Sequence, residues 1–251
     1  MYALISDLHS NIEAVDAVLE DIASFNVDAI YCLGDVIGYG PNPVEVLGRV
    51  EKAEFILQGN HEGGLLHFAE DFNPRAREAL EWTRDQLNDA NRDKEIRFGF
   101  WQRLDEMETL VKKGDDLFVH GSLRNHTKDY LMPGDIADTL KMEEIWESLD
   151  GRACFAGHTH IPGVWTQTGK FLSPTEISHE FVLPDDGEKV CINVGSVGQP
   201  RDNDTRSCYV IVDDDKIIWR RVEYDNVSTM RKILKIDRLS DTLAARLKVG
   251  R

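Results

Sequence analysis

Five short polar clusters, each directly behind a short apolar run, constrain this chain more than any other feature. They are Asp7-Leu8-His9, Gly34-Asp35, Gly59-Asn60-His61-Glu62, His120-Gly121 and Gly157-His158-Thr159-His160. The runs before them, at 2–6, 29–33, 54–57, 117–119 and 154–156, have the length and apolar content of buried strands. In layered α/β folds, loops at the carboxyl ends of strands converge and carry the site. Five strands ending in His, Asp or Asn are therefore expected to deliver those residues to one place.

The remaining pattern supports such a fold. Ser10 or Asn11 can cap a helix whose Ile12, Val15, Val18, Leu19, Ile22 and Phe25 recur at three- and four-residue spacing. Strand and helix signals alternate through the first third, which implies crossover connections and a mainly parallel sheet there. Pro74 opens a helix of about four to five turns. The runs 109–111 and 117–119 read as a hairpin, and 135–149 as another helix. Strands then dominate, at 154–156, 164–166, 180–182, 190–194, 207–212 and 217–222. A helical tail from about residue 225 places Met230, Ile233, Leu234, Leu239, Leu243 and Leu247 on one side. The expected class is α/β (α+β), with two stacked sheets flanked by helices in one domain spanning 1–251. Residues 63–108, between the third and fourth clusters, form either a helical cap over the site or a peripheral insertion. The aromatic run Phe98-Gly99-Phe100-Trp101 reads as core.

Composition narrows the function. The 29 Lys+Arg against 45 Asp+Glu give a net charge of −16, which disfavours sequence-independent nucleic-acid binding through phosphate contacts. No apolar run approaches the roughly 18 residues of a membrane span. The opening Met1-Tyr2-Ala3-Leu4-Ile5-Ser6-Asp7 lacks a basic segment and meets a charge too early for a signal peptide. Cys32, Cys154, Cys191 and Cys208 form no CxxC pair and read as buried thiols in a reducing compartment. A cytoplasmic protein without membrane contact is expected.

The clusters supply Asp7 and Asp35, the amide of Asn60, and the imidazoles of His9, His61, His120, His158 and His160. Mixed carboxylate and imidazole donors suit Mn, Fe, Zn, Ni or Co rather than Mg or Ca. So many donors exceed the needs of one four-coordinate ion and suit two ions sharing a carboxylate. Asp7 and His9, like His158 and His160, alternate past a strand end, so each pair converges only where the chain bends. Gly34, Gly59, Gly121 and Gly157 are expected to allow that bend. Gly-Asn-His-Glu alone arises by chance on the order of once in a thousand chains.

The order Asp-x-His, Gly-Asp, Gly-Asn-His-Glu, His, Gly-His-Thr-His resembles the calcineurin-like metallophosphoesterase family across residues 4–160. Residues 192–201 also resemble a segment of its bacterial single-domain members. The resemblance implies a four-layer αββα sandwich and a dinuclear phosphohydrolase acting through a metal-bridging hydroxide. Phosphomonoesters, phosphodiesters and dinucleoside polyphosphates are all open as substrates. It implies that Asp7, His9 and His160 hold one metal, that Asn60, His120 and His158 hold the other, and that Asp35 bridges. His61 matches the catalytic histidine beside the leaving group. It would protonate the departing oxygen or stabilise its charge. Glu62 is either a partner fixing an imidazole or an ordinary loop carboxylate.

One departure matters. Protein Ser/Thr phosphatases of the family carry Arg-Gly shortly after Gly-Asp, whereas here the run is Val36-Ile37-Gly38-Tyr39-Gly40-Pro41. A protein phosphatase is disfavoured, and a phosphate clamp must come from elsewhere. Arg124 and Arg201 are the candidates, with Tyr39 as a pocket wall. His67, His126 and His179 receive no role. The competing readings are a non-catalytic metal-binding interaction scaffold, as in the retromer subunit of this fold, and a nuclease, which the missing basic stripe disfavours.

Overall fold

A computed structural model of the chain describes residues 1–67, 69 and 71–251. The first half runs β1 (Tyr2–Ile5), α1 (Ile12–Ala23), β2 (Ala29–Cys32), α2 (Pro43–Arg49), β3 (Phe55–Ile56), α3 (Asn60–Leu66), α4 (Pro74–Leu87) and α5 (Lys94–Asp105). Then follow β4 (Leu110–Lys113), β5 (Asp116–Val119), α6 (Thr139–Ser148), β6 (Ala153–Ala156), β7 (Gly163–Thr166), β8 (Lys170–Leu172) and β9 (Glu180–Val182). The chain closes with β10 (Val190–Asn193), β11 (Ser207–Asp213), β12 (Lys216–Val222), α7 (Asn226–Ile233) and α8 (Asp241–Leu247). One six-stranded sheet has the order β3-β2-β1-β11-β12-β9, and the other β4-β5-β6-β10-β7-β8. Both are mixed. β1 pairs parallel to β2 and antiparallel to β11, and β10 pairs parallel to β6 and antiparallel to β7.

Alternation along each strand builds the layers, because successive side chains point to opposite faces. Leu4 of β1, Val210 of β11, Phe155 of β6 and Ile192 of β10 meet between the sheets. Ala3, Ile5, Tyr209 and Ile211 point outward to helix α1 through Val15, Val18 and Ile22. Cys154 and Cys191 point the other way, toward Met142 and Ile145 of α6. The result is the expected αββα sandwich, with two apolar-faced sheets covered by helices on both sides.

Several local expectations are refined. Asn11 is the residue that caps α1, its Oδ1 accepting from Ala14 N at 3.2 Å. The helix expected over 135–149 is two elements: a 3-10 turn at Pro133–Ala137, and α6. Asp138 separates them because its carboxylate accepts from Lys141 N and starts the second helix afresh. The tail likewise splits into α7 and α8, with Ser240 capping α8 and Leu234 turned to solvent. Strand β8, at a sheet edge, is an addition. Within 63–108, Leu65, Leu80, Leu87 and Leu104 pack into the core beside α1 and α2. Of the aromatic run, Phe100 and Trp101 pack against that core, but Phe98 is exposed.

Candidate metal centre

The five clusters meet where the two sheets deliver the ends of β1, β2, β5 and β6 and the start of α3. Backbone bonds stitch the loops together. Asp7 N donates to Gly34 O at 3.0 Å, His9 N to Asp35 O at 2.9 Å, and Gly157 N to His120 O at 3.0 Å. The bends fall on the ligands themselves: Asp7, His9, Asp35, His158 and His160 have φ of 54, 46, 51, 66 and 61°. Non-glycine residues in this region are strained, and such strain concentrates at functional sites. Gly157 serves chiefly for close approach, since a Cβ there would stand 2.0 Å from Ser6 Oγ and 2.6 Å from Asp7 Oδ2.

Four imidazoles share one arrangement. Each turns one ring nitrogen to a backbone carbonyl, which can only accept, so that nitrogen carries the proton. His9 Nδ1 donates to Ile37 O at 3.2 Å, His120 Nδ1 to Leu33 O at 2.9 Å, and His160 Nδ1 to Gln199 O at 2.5 Å. His158 uses its other nitrogen, Nε2, toward Lys128 O at 3.3 Å. The remaining nitrogens converge. His9 Nε2 is 3.2 Å from His160 Nε2, and His120 Nε2 is 3.1 Å from His158 Nδ1 and 3.2 Å from Asn60 Oδ1. Anchoring one nitrogen so that the other presents its lone pair is how proteins orient metal-ligating histidines.

The carboxylates are prepared in the same way. Asp7 Oδ2 accepts from His158 N at 3.0 Å, while Oδ1, 3.2 Å from His160 Nε2, has no hydrogen-bond partner among the described residues. Asp35 Oδ1 accepts from His61 N at 2.9 Å, and Oδ2 lies 3.3 Å from His120 Nε2 and 3.7 Å from His9 Nε2. Asp7, His9 and His160 thus form one group able to hold an ion and Asp35, His120 and His158 another, with Asn60 beside the second; His9, Asp35 and His61 form a third that overlaps both. Burial opposes ionisation of Asp7 and Asp35, but the surrounding imidazoles outweigh it and hold both below the usual carboxylate range. Burial also lowers His9, and it lowers His158 to about 3. His120 is the exception: Asp35, Asp7 and Glu62 overcome its burial and raise it to about 9.

His61 differs from the other four. Its Nδ1 is buried without a hydrogen-bond partner among the described residues, and its Nε2 stands 4.0 Å from Asp35 Oδ2. Its ring packs edge-on against Tyr39 and Phe72. Burial, joined by the charge of Arg201, lowers its pKa to about 4 against the pull of Asp35. Glu62 fixes no imidazole. It accepts from the amides of Gly59, Asp35 and Ile37 at 2.8, 2.9 and 3.1 Å, so it clamps two loops to the first turn of α3.

A cavity of about 170 Å³ opens over the cluster, lined by Tyr39, Asn60, Phe72, Lys128, Tyr130 and His158 among others. Tyr39 packs on His9 and His61, and Tyr130 stacks on His158 with ring centroids 3.9 Å apart. Asp71, Phe72 and Asn73 place part of 63–108 at this mouth, while none of the lining residues comes from α4 or α5. A larger cavity of about 570 Å³ beside α4, lined by Leu80, Glu81, Arg84 and Arg238, contains none of the clustered residues. Arg201 lies near the centre, its guanidinium carbon 5.8 Å from the Tyr39 ring centroid. Arg124 does not join it: its guanidinium pairs with Glu144 at 2.6 Å and reaches Asp129 at 3.7 Å. Lying near His120 in sequence set its position but not its direction, and the two carboxylates claim its charge. His67, His126 and His179 belong to none of the metal-holding groups.

Sequence reasoning missed the residues behind the ligands. Asn193 Nδ2 donates to Gly157 O and Thr159 Oγ1, bracing the last cluster. Ser196 Oγ and Gly198 N both donate to Asp7 O, and Gln199 O fixes His160. The likeness noted for 192–201 was the available signal. Nothing pointed to the carbonyls of Leu33, Ile37 and Lys128.

A buried, carbonyl-anchored cluster of Asp, Asn and His on an αββα sandwich defines a metal-binding phosphoesterase fold. The chain belongs to the calcineurin-like phosphoesterase superfamily, whose domain matches residues 1–216. It is 34% identical over 261 residues to an uncharacterised protein of Methanocaldococcus jannaschii, covering 100% of this chain and 98% of that one. It is similar to a metallophosphoesterase from Sphaerobacter thermophilus, with a TM-score of 0.81 and 32% identity over 100% of this chain and 99% of that one. A hypothetical protein from Pyrococcus horikoshii shares the fold at a TM-score of 0.77 and 17% identity, with 100% and 99% covered. Among the described residues, no helix is long and apolar enough to cross a membrane.

Proposed function

We propose that this protein is a phosphohydrolase that uses two divalent cations to cleave a small phosphate ester. The observation that carries this reading is the contrast among five buried imidazoles. Four are anchored with a free nitrogen aimed at Asp7, Asp35, Asn60 or one another, and the fifth, His61, stands beside them unanchored. In this reading Asp7, His9 and His160 hold one cation and Asn60, His120 and His158 the other. Asp35 lies between the two groups, serving both. Bound divalent cations would supply Lewis acidity toward phosphoryl oxygens and a lowered pKa for an attacking water.

The chain's own residues do the rest. Asp7 and Asp35 offset only part of the charge of two divalent ions, so the site attracts a phosphate although the chain carries −16. His61, neutral near pH 7, offers an N–H to the leaving oxygen and stabilises the charge that develops there. That favours charge stabilisation over full proton donation. Tyr39, Phe72 and Tyr130 wall the reacting atoms from bulk water, and Arg201 adds a positive charge at the rim. The four unpaired buried cysteines support a cytoplasmic location. The test is a panel of phosphomonoesters, phosphodiesters and nucleotides, assayed after stripping and reloading with Mn, Fe, Zn, Ni, Co or Mg. Hydrolysis that needs an added transition metal is expected. A fully loaded protein that cleaves none of the panel would instead be an interaction scaffold.

A further inference from the structure

We propose that Arg201 and Arg246 clamp a second anionic group of the substrate, a phosphate carried by its leaving group. This rests on the phosphohydrolase reading and adds the class of phosphate ester or anhydride that the site takes. The two guanidiniums come from distant parts of the chain and meet on one atom. Arg201 donates from Nε and Nη2 to Gln199 Oε1 at 3.2 and 2.7 Å, and Arg246 Nη1 approaches the same oxygen at 3.5 Å. Gln199 is 2% exposed, and its carbonyl is the acceptor that fixes His160. Tyr39 joins the pair to the centre, since its ring lies under the Arg201 guanidinium and packs on His9 and His61.

The surroundings mark an anion site rather than a structural pair. Among the described residues neither guanidinium pairs with a carboxylate, although the chain has 45 acidic residues. A guanidinium is a fork of several donors, and one shared amide oxygen leaves most of both forks unspent. Burial and the charge of Arg201 lower the Arg246 pKa, and Arg75 adds to the same field. Like charges gathered this way cost free energy by themselves, and a bound phosphate offsets it.

Position favours a second group over the scissile one. The Arg201 side chain runs to Gln199 and Tyr39 and makes no ion pair with Asp7 or Asp35 among the described residues. In this proposal the pair meets substrate atoms beyond the phosphoryl group at the metal cluster, with Arg246 reaching Gln199 Oε1 from α8. Arg246 sits on α8, which Leu243, Ala244 and Leu247 seat against Trp82 and Tyr39. That helix lies outside the matched family domain, whereas Arg201 lies inside it. In the reaction, water oxygen bonds to the terminal phosphorus and the P–O bond to the leaving phosphate breaks. The electron pair departs on that phosphate, whose charge the arginines meet, and the water proton passes to solvent.

The test compares ADP, whose leaving group AMP carries a phosphate, with p-nitrophenyl phosphate, whose leaving group does not. In Arg246→Gln, kcat/KM for ADP should fall about 10- to 100-fold, mainly through KM. The loss on p-nitrophenyl phosphate should stay below about threefold, since the clamp holds only the leaving phosphate. Arg246→Lys should recover part of the ADP loss by restoring the charge. Independently, AMP binding to the full chain in excess chelator, measured by calorimetry, should weaken at least tenfold in Arg246→Gln. Equal losses on both substrates, or unchanged AMP binding, would overturn the clamp. If the wild type hydrolyses neither compound, the phosphodiesters of the panel decide the phosphohydrolase reading, and the AMP titration still decides the clamp.

Discussion

His9 and His160 bring their Nε2 atoms to 3.2 Å of each other while each ring spends its Nδ1 proton on a backbone carbonyl. Burial lowers the pKa of both, so both rings are neutral near pH 7 and two lone pairs face one another. That contact is repulsive in the protein alone and would become coordination around a cation. His120 Nε2 and His158 Nδ1 also approach to 3.1 Å, next to Asp35, which holds His120 charged.

Asp35 is the residue common to both halves, lying within 3.7 Å of His9 and 3.3 Å of His120. Asp35→Asn removes a charge that both ions would share in the proposed centre. Elemental analysis should show a larger loss of bound metal than in His9→Ala or His158→Ala. Equal metal content in Asp35→Asn and wild type would take Asp35 out of the bridging position.

His61→Ala should keep the metal and the fold but lower turnover by roughly 10²–10⁴-fold. The loss should be greatest for alkoxide leaving groups, and smaller for p-nitrophenolate, which departs readily as an anion. Losses within a few-fold for both leaving groups would remove His61 from the reaction.

Gly38 tests His61 indirectly. Its φ is +86°, and a Cβ there would stand 2.0 Å from His61 Nδ1. Gly38→Ala should therefore displace the imidazole by about an ångström or more and lower turnover by about 10²-fold. Bound metal should stay near the wild-type level, because His61 is not a ligand in this account. A parallel loss of metal and turnover would place His61 among the ligands.

The chain announced its candidate metal ligands because coordination demands Asp, Asn and His themselves, and each stands just past a strand whose alternation is plain. Leu4 against Ala3 and Ile5, or Phe155 against Cys154, shows how the two-residue period sets the layers. The supports were not legible. Leu33, Ile37 and Lys128 act through carbonyl oxygens, which every residue possesses. Glu62 and Arg124 are charged neighbours of cluster residues, and only the fold shows one turned to three amides and the other to Glu144. Arg246 reaches Gln199 across 47 positions of sequence, and no local pattern links them.

Away from the site, Asp21 of α1 ties the helix to the sheet. It accepts from Tyr209 Oη at 2.7 Å and from Arg220 at 3.0 and 3.1 Å. Burial works against its charge, but the bonds from Arg220 and Tyr209 outweigh it and depress its pKa. A depressed folded pKa gives stability that is complete above the unfolded value of about 3.9. That stability disappears as pH falls through the folded value. Asp21→Asn should cost about 1 kcal/mol near pH 7. Denaturant titrations should show the difference from wild type shrinking below about pH 4. A difference independent of pH would mean that the charge contributes nothing.

The most direct test is a titration of the stripped, full-length protein with Mn²⁺, following hydrolysis of bis-p-nitrophenyl phosphate and bound metal together. The account predicts that activity stays low through the first equivalent and rises with the second, because both groups around Asp35 must be filled. Chelation should abolish that activity and Mn²⁺ should restore it. Full activity at one equivalent would contradict the paired centre. Two tightly bound ions with no hydrolysis of any phosphate ester would contradict the enzyme.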